Sequence, residues 1–253
     1  MKLLRDTWIV FGRYFQLFLR NPVWVVVGVV QPLMYLVLFA PLLEGMTKMP
    51  GFPPGGAYNV FVPGLLIQLG LFGASGVGFG LIAELRMGVV ERMRVTPVSR
   101  VAMLFGRALR DIVVLLLQAI LIILLAIPFG LTIDPLGTLV ALGLVALIGL
   151  GTASIAYSVA LKVGSEDAYA PIVFTATLPL LLLSGVLLPL TFAPGWLRAL
   201  AAFNPLAYAV NAARAVFNNQ LGDPSVATGL AIMALLAVVG VALAGRSFSR
   251  AAS

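Results

Sequence analysis

Six long apolar stretches divide this chain, and they constrain its fold more than any other feature. They lie near residues 23–43, 59–83, 107–131, 136–161, 169–190 and 226–245. A helix needs about 20 apolar residues to cross a bilayer, and each stretch supplies them. Because 61% of the residues are hydrophobic and only 10% are charged, lipid is the expected solvent. The sequence predicts an all-α, polytopic membrane protein, a single domain of residues 1–253 with six transmembrane helices.

The fifth stretch is the least regular of the six. It contains Pro171, Pro179 and Pro189. Proline is tolerated in a spanning helix when neighbouring groups satisfy the backbone carbonyls that it frees. We therefore expect a kinked fifth span over 169–190.

Basic residues set the expected orientation. With the N-terminus inside, only Lys48, Arg198 and Arg214 of the 16 basic residues fall outside. Cytoplasmic loops carry the excess of Lys and Arg. We therefore expect both termini to be cytoplasmic.

Residues 1–21 have the pattern of a helix that lies in the membrane interface. Aromatic and aliphatic side chains share one face, at helical spacing: Leu4, Trp8, Phe11, Phe15 and Phe18. Polar and basic side chains lie opposite: Lys2, Arg5, Arg13, Gln16 and Arg20. Asn21-Pro22 then separates this helix from the first span. A membrane anchor and a contact surface for a cytosolic partner are both consistent with this pattern.

A charged island, Glu84 to Arg110, holds six arginines and two glutamates in an otherwise apolar chain. Within it, Thr96-Pro97 breaks one helix and caps the next. The sequence predicts a short amphipathic helix within residues 84–97, parallel to the membrane. Its arginines could simply set orientation and bind anionic lipid, but Glu84 and Glu91 are not needed for that.

The segment 191–220 is apolar but too broken for a clean crossing. Pro194-Gly195 and Asn204-Pro205 divide it into two short helices. We expect a re-entrant helical hairpin that enters the outer leaflet and returns, buried against protein or lining a cavity.

The residue inventory excludes several chemistries. Cys and His are both absent, which removes thiol nucleophiles, imidazole bases and the usual zinc sites. We expect no catalytic residue and no metal site. Intramembrane carboxylates are nearly absent, since Asp111 lies near the inner edge beside Arg107 or Arg110, and this argues against an ion-driven carrier. The loops leave no room for an ATP-binding domain, so energy for transport must come from outside the chain.

Polar groups within the spans are amides and hydroxyls. They are Gln31, Gln68, Gln118, Ser154, Tyr157, Thr175, Thr177 and Ser184. Hydrogen bonding between helices accounts for such groups in general. Gln31 and Gln68, with Thr175 and Ser184, are the candidates for contact with a polar part of a substrate. The Gly76-x-x-x-Gly80 spacing is interpreted as a close helix contact rather than a phosphate loop.

Two motif regions resemble a known family. The string Glu84-Leu-Arg86-x-x-x-x-Glu91-Arg92-x-Arg94-Val-Thr96-Pro97, followed by Gly106-Arg107, is similar to the inner loop of type-two ABC exporter permeases, especially the daunorubicin-resistance type. Leu183-Ser184-Gly185, Pro189, Pro194-x-Trp196 and Asn204-Pro205-x-x-Tyr208 resemble that family's fifth span and outer hairpin. The six-span layout matches over the whole chain.

The resemblance implies a coupling helix that docks in the cleft of an ABC ATPase. By position, the docking residues are Glu84, Arg86, Glu91, Arg92, Arg94, Thr96 and Pro97. The outer hairpin, with Asn204, Pro205, Tyr208 and Arg214, would close the outer end of the path, which spans one, two and five would face. The implied partners are two ATPase subunits that bind ATP and Mg, a second permease copy, more readily an identical one than a different one, and membrane lipid. No cofactor is expected in this chain and no nucleic acid as a partner.

The expected function is therefore the membrane subunit of an ATP-driven exporter of a drug, lipid or other amphiphile in a bacterial inner membrane. The short outer loop 44–58 lacks the extended external domain of larger family members, which favours compact cargo. An ion-driven carrier or channel that works without an ATPase is the alternative, and a lipid-modifying transferase is a third possibility. Charge reversal at Glu84 or Glu91 is predicted to uncouple ATP hydrolysis from transport while leaving the protein folded.

Overall fold

The computed structural model describes residues 2–20, 23–50, 52–89 and 99–250, and every regular element in these ranges is a helix. We number the α-helices α1 (Lys2–Leu19), α2 (Val23–Glu44), α3 (Gly56–Arg86), α4 (Arg100–Ala126), α5 (Pro135–Val163), α6 (Glu166–Leu182), α7 (Gly195–Ala201), α8 (Pro205–Phe217) and α9 (Pro224–Arg250). Short 3₁₀ turns cover Ile127–Phe129 and Leu190–Phe192. The predicted all-α class is confirmed.

Within the described residues, five helices are long and apolar enough to cross a membrane. These candidate spans are Val26–Glu44, Gly56–Arg86, Val101–Phe129, Pro135–Val163 and Pro224–Phe248. They match the predicted spans one to four and six. A multi-pass membrane protein is confirmed, whereas the sixth crossing is not.

The predicted fifth span, 169–190, is wrong as one continuous helix. Helix α6 has 17 residues and ends at Leu182, and turns follow it. Gly185 adopts φ +77°, a left-handed conformation that suits glycine and ends helices. Pro189 cannot donate a backbone hydrogen bond that would rebuild the helix.

Helix α5 lies at the centre of the molecule and packs most extensively against α9 and α3. A Cβ atom on Gly240 of α9 would lie 2.5 Å from the carbonyl oxygen of Gly151 on α5. The two backbones therefore approach closely, as small residues allow between membrane helices. Helix α8 packs on α9, α3 and α5 and shares a second apolar cluster with them.

The loops gather at two ends of the helix bundle. At the end that carries α1, the Tyr14 hydroxyl donates to Glu84 Oε2 at 2.8 Å, and Arg86 lies 3.7 Å from Glu166. We call this the α1 end. At the opposite end, the far end, the rings of Phe52 and Phe192 lie 6.5 Å apart. The end of α3 and the start of α6 therefore lie at the α1 end, and the segments that precede α3 and follow α6 lie at the far end.

Helix α1 is amphipathic as predicted but has a third face. Leu4 and Trp8 are 77% and 67% exposed, which fits an apolar face toward lipid. Asp6, Val10, Tyr14 and Phe18 form a buried stripe at four-residue spacing, and α1 packs along α4. Phe18, which was assigned to the lipid face, belongs to this stripe. The absence of a side chain at Gly106 permits the contact, since a Cβ there would lie 2.6 Å from Val10.

Candidate functional site

A cavity of about 700 Å³ lies between α2, α3 and α4 and reaches the α1 end. This volume is within the ~300–1,000 Å³ of typical small-molecule sites. One carboxamide from each bounding helix lines it: Gln31 from α2, Gln68 from α3 and Gln118 from α4. Apolar side chains of α3 and α4 line the middle, and charged side chains line the α1 end.

The structure brings together two of the four residues predicted for the substrate path. Gln31 and Gln68 both line the cavity. Thr175 lies on an exposed part of α6. Ser184 is buried in the turn after α6, where its hydroxyl donates to Leu181 O at 2.6 Å. Ser184 therefore stabilises a local turn, which is a sufficient reason for a polar residue there.

Gln68 and Gln118 differ in their surroundings. Gln68 is only 2% exposed, and its Oε1 atom has no hydrogen-bond partner among the described residues. Gln118 reaches the backbone of α2, because a Cβ on Gly28 would lie 2.1 Å from Gln118 Nε2. Gln118 was recognised in the sequence as a polar mid-span residue but was not assigned to the path.

Glu84 and Arg107 form an ion pair at the α1 end of the cavity. The Arg107 side chain is 6% exposed and that of Glu84 is 21% exposed. The guanidinium of Arg107 also lies 4.6 Å from the centre of the Tyr14 ring, a cation–π distance. Burial raises the pKa of the Tyr14 hydroxyl above its ordinary value, so this hydroxyl stays protonated and donates to Glu84. The three side chains join α1, α3 and α4.

A second ion pair lies beside the first. Arg110 Nη1 lies 2.7 Å from Asp111 Oδ1, and the buried Tyr157 hydroxyl of α5 donates to Asp111 Oδ2. The guanidinium of Arg110 lies 5.3 Å from the centre of the Phe18 ring. The sequence-based expectation that Asp111 sits beside Arg107 or Arg110 is confirmed. Each carboxylate thus accepts from one arginine and one tyrosine.

Sequence reasoning missed Tyr14, which belongs to neither of the two faces predicted for residues 1–21. The available signal was the i, i+4 series Asp6, Val10, Tyr14 and Phe18. A helix face that carries a carboxylate and a hydroxyl-bearing ring, here Asp6 and Tyr14, is typical of contact with protein rather than with lipid.

The two short helices predicted on either side of Asn204-Pro205 are present as α7 and α8. The Asn204 side chain caps α8 by accepting from Leu206 N at 3.0 Å, and Pro205 occupies its first turn. Asn204 Nδ2 also donates to Leu180 O near the end of α6 at 2.7 Å. The Tyr208 hydroxyl donates to Ala202 O at 2.9 Å. Asn204 and Tyr208 therefore fix the turn between the two helices.

Arg214 explains how the irregular segment after α6 is tolerated. It is 7% exposed, and its guanidinium donates to Val60 O at 2.8 Å and to Gly185 O at 2.7 Å. The bond to Gly185 O supplies a donor for a carbonyl of the turn after α6, and the bond to Val60 O ties this turn to α3. The sequence placed Arg214 in the hairpin but gave no reason for a buried cation there.

Comparison with known proteins assigns the chain. The family model for the ABC-2 type transporter matches residues 5–218. The chain belongs to the ABC-2 type transporter family. It is 27% identical to a proposed transport permease, ycf38, of Cyanophora paradoxa over 86% of this chain and 76% of that protein. It is 23% identical to the daunorubicin resistance ABC transporter permease protein DrrB1 of Streptomyces coeruleorubidus over 91% of this chain and 81% of that protein.

In this ABC-2 permease, the structure describes the beginning of the predicted coupling segment 84–97. Glu84 is bound within the chain, and Arg86 pairs with Glu166 across exposed side chains, so solvent screens the second pair. Glu91, Arg92, Arg94, Thr96 and Pro97 lie outside the described residues. The cap of α4 is Ser99, whose hydroxyl accepts from Ala102 N at 3.1 Å, so Thr96 is not the cap of that helix.

Gly76 and Gly80 were predicted to make a close contact between helices, and this prediction is wrong for contacts among the described residues of one copy of the permease. A Cβ on either residue would meet no atom within 4 Å, and both glycines line the cavity. The close contacts of α3 are made by Gly73 and Gly78, where a Cβ would lie 2.5 Å from Leu115 and 2.1 Å from the Tyr169 hydroxyl. The open glycines widen the cavity instead.

Proposed function

We propose that this chain is the membrane subunit of an ATP-driven exporter that moves a drug, lipid or other amphiphile out of the cytoplasm. Family membership supports transport by an ABC complex. Relatives named for daunorubicin and doxorubicin resistance support amphiphilic cargo. ATP and Mg would be bound by a separate ABC ATPase, two copies per complex.

The observation that carries this proposal is the position of Glu84. It stands at the start of the 84–97 segment and, at the same time, at the charged end of the cavity. Through Arg107 and Tyr14 it connects α3 to α4 and α1. An ATPase that pushes on the segment would therefore move the helices that bound the cavity. This is a switch between two packings that nucleotide in another chain biases.

The geometry of α7 and α8 supports a re-entrant hairpin. The chain leaves the far end near Phe192, which lies beside Phe52. At its turn, Asn204 bonds to Leu180, and Leu206 shares a buried cluster with Leu71, well along α3. Helix α8 then returns to the far end, where Phe217 O accepts from Asn59 Nδ2 at 3.3 Å. With the short α6, this hairpin would complete the outer side of the path.

A second copy of the chain would cover the apolar surface that α2 and α6 leave exposed. Helices α2 and α6 expose rows of large apolar side chains, among them Val26, Met34 and Leu38 on α2 and Phe174 and Leu178 on α6. Exposed apolar rows in a membrane helix face lipid or another helix. We propose a homodimer in a bacterial inner membrane, with both termini cytoplasmic.

Reconstitution tests this function. The permease would be purified with the ABC ATPase that copurifies with it and placed in liposomes, and daunorubicin fluorescence would report transport. We expect accumulation that requires both ATP and the ATPase. Daunorubicin movement by the permease alone, driven by an ion gradient, would instead support an ion-driven carrier or channel and overturn the proposal.

Coupling needs a separate test, because Glu84 is bound within the chain. Reversal at Glu84 alone leaves Arg107 without its partner, so a loss of transport could arise from misfolding. Glu91→Lys and the exchange pair Glu84→Arg with Arg107→Glu avoid this problem. We expect both variants to hydrolyse ATP with little transport, and normal transport in both would exclude the coupling role.

A further inference from the structure

We infer that the cavity between α2, α3 and α4 binds the transported amphiphile, and that Gln68 accepts a hydrogen bond from an uncharged hydroxyl or amide group of it. This inference rests on the proposed export function and names the substrate chemistry of its site. Three observations carry it: the oxygen of Gln68, which has no partner in the described part of the chain, the balanced charges at the α1 end, and the open glycines of α3.

The oxygen of Gln68 is the first observation. Gln68 is 2% exposed and lines the cavity, yet its Oε1 atom has no partner among the described residues. Buried polar atoms are nearly always hydrogen-bonded, and an exception needs a reason. A carboxamide oxygen can only accept, so the missing partner is a donor. Gln31 and Gln118 in the same lining supply further donors and acceptors for a hydroxyl or amide.

The charged side chains at the α1 end pair with one another, which favours an uncharged ligand over a charged one. Glu84 pairs with Arg107, and Asp111 pairs with Arg110. Glu166, the third carboxylate of the lining, lies 3.7 Å from Arg86. These three carboxylates and three arginines cancel, and the hydroxyls of Tyr14 and Tyr157 use further carboxylate lone pairs. A fixed cation or anion would have to break one of these pairs to be neutralised. An uncharged polar group needs only a hydrogen bond.

The middle of the cavity suits an apolar body. From Gln68 to Glu84 the wall of α3 runs for about 24 Å at ~1.5 Å per residue. Leu69, Phe72, Val77 and, from α4, Leu115 line it. Gly76 and Gly80 leave the space beside them open, since a Cβ on either would meet nothing within 4 Å. The cavity thus places the oxygen of Gln68 next to a long apolar slot.

The test uses the absence of cysteine in the native sequence. A single cysteine at Gly80→Cys would report occupancy of the slot by its rate of reaction with N-ethylmaleimide. Gly143→Cys is the matched control: Gly143 is an exposed helical glycine of α5 whose Cβ would also meet nothing within 4 Å, and it does not line the cavity. The probes are 1-hydroxypyrene, which carries one hydroxyl donor, and 1-methoxypyrene, which has the same ring system and no donor.

With the purified full-length permease in phosphatidylcholine nanodiscs, we expect 1-hydroxypyrene to slow the labelling of Gly80→Cys at least threefold more than 1-methoxypyrene does. Adding Gln68→Leu should remove this difference, and Gln68→Met serves as a second variant if the first does not fold. Neither probe should slow labelling of Gly143→Cys. Equal protection by both probes, a difference that survives the loss of Gln68, or equal protection at Gly143→Cys would overturn the inference.

These measurements contain no ATPase, so their failure is separate from failure of the proposed function. Probe-specific protection without ATP-driven export in liposomes would leave the site standing and reject the exporter. Export at the wild-type rate by the double variant Gly76→Leu, Gly80→Leu, which fills the slot, would reject the site and leave the exporter standing.

Discussion

The two ends of this permease are fastened by different chemistry. At the α1 end, side chains of opposite charge pair with each other, as Glu84 does with Arg107 and Asp111 with Arg110. At the far end, amide and guanidinium groups bond to backbone carbonyls, as Asn59 does to Phe217 O and Arg214 to Gly185 O. A pair of charged side chains can exchange partners when helices move. A side chain bound to backbone carbonyls fixes the shape of a segment.

From this difference we propose a separate role for each end in the transport cycle. The α1 end adjoins the segment proposed to receive force, so exchangeable contacts there permit motion. The far end holds the irregular backbone after α6, where unsatisfied buried carbonyls are costly. We therefore expect the hydrogen bonds to these carbonyls to contribute more to the free energy of unfolding than any one ion pair at the α1 end.

The largest expected effect is at Arg214. Arg214→Met removes the charge-assisted hydrogen bonds to Val60 O and Gly185 O, worth ~1.5–3 kcal/mol each, and a longer one to Val186 O, and it relieves the burial of one charge. We expect a net loss of about 3 kcal/mol in the free energy of unfolding, measured in mixed detergent micelles. Arg198→Met on exposed α7 is the matched control and should change stability little. Equal losses from both variants would show that the hydrogen bonds of Arg214 do not stabilise the far end.

The next effect is at Glu84. Glu84→Gln leaves Arg107 nearly buried without its charge partner, and we expect a loss of about 2 kcal/mol, less than the ~3–5 kcal/mol of fully buried pairs because Glu84 is partly exposed. The double variant with Arg107→Gln should be more stable than the sum of the single changes predicts. Additive losses in the unfolding measurements would show that the two side chains act independently.

A smaller effect is expected at Asn59, which links α3 to the end of α8 and to the loop between α4 and α5. Its Oδ1 atom accepts from Thr132 N at 3.1 Å. Asn59→Leu keeps the volume but leaves Thr132 N and Phe217 O without this partner, so we expect a loss of about 1.5 kcal/mol. Gln220→Leu, at an exposed position just after α8, is the comparison variant. Protection of the Thr132 amide from hydrogen exchange should fall in the first variant, and unchanged protection would argue against the bond.

The fold could be predicted largely from hydropathy, since five spans, the amphipathic α1 and the two short helices at Asn204-Pro205 follow from patterns within one segment. The error in the fifth span came from a contact that no local pattern contains. Helix α6 ends at Leu182 because Gly185 turns the chain and Arg214, 29 residues later, satisfies its carbonyl. The cavity shows the same limit. Gln31 and Gln68 were candidates by residue type, but their grouping with Gln118 depends on how α2 and α4 pack.

The smallest effect sharpens the comparison within the α1 end, at Tyr14. Tyr14→Phe keeps the ring over Arg107 and removes the hydrogen bond to Glu84, so we expect a loss of about 1 kcal/mol at neutral pH. Because burial raises the pKa of Tyr14 in the folded state, its contribution is fully present below the unfolded pKa of about 10. It is lost as pH rises through the higher folded pKa.

The wild-type protein should therefore lose its advantage over Tyr14→Phe above about pH 10, and hold it constant between about pH 7 and 9. Unfolding measured across this range in both proteins checks the sign. Tyr208→Phe is the control: its hydroxyl bonds to a backbone carbonyl on the exposed hairpin, so its loss should be smaller. An advantage of wild type over Tyr14→Phe that grows with pH would mean that Tyr14 ionises in the folded protein, which is incompatible with a hydroxyl that donates to a carboxylate.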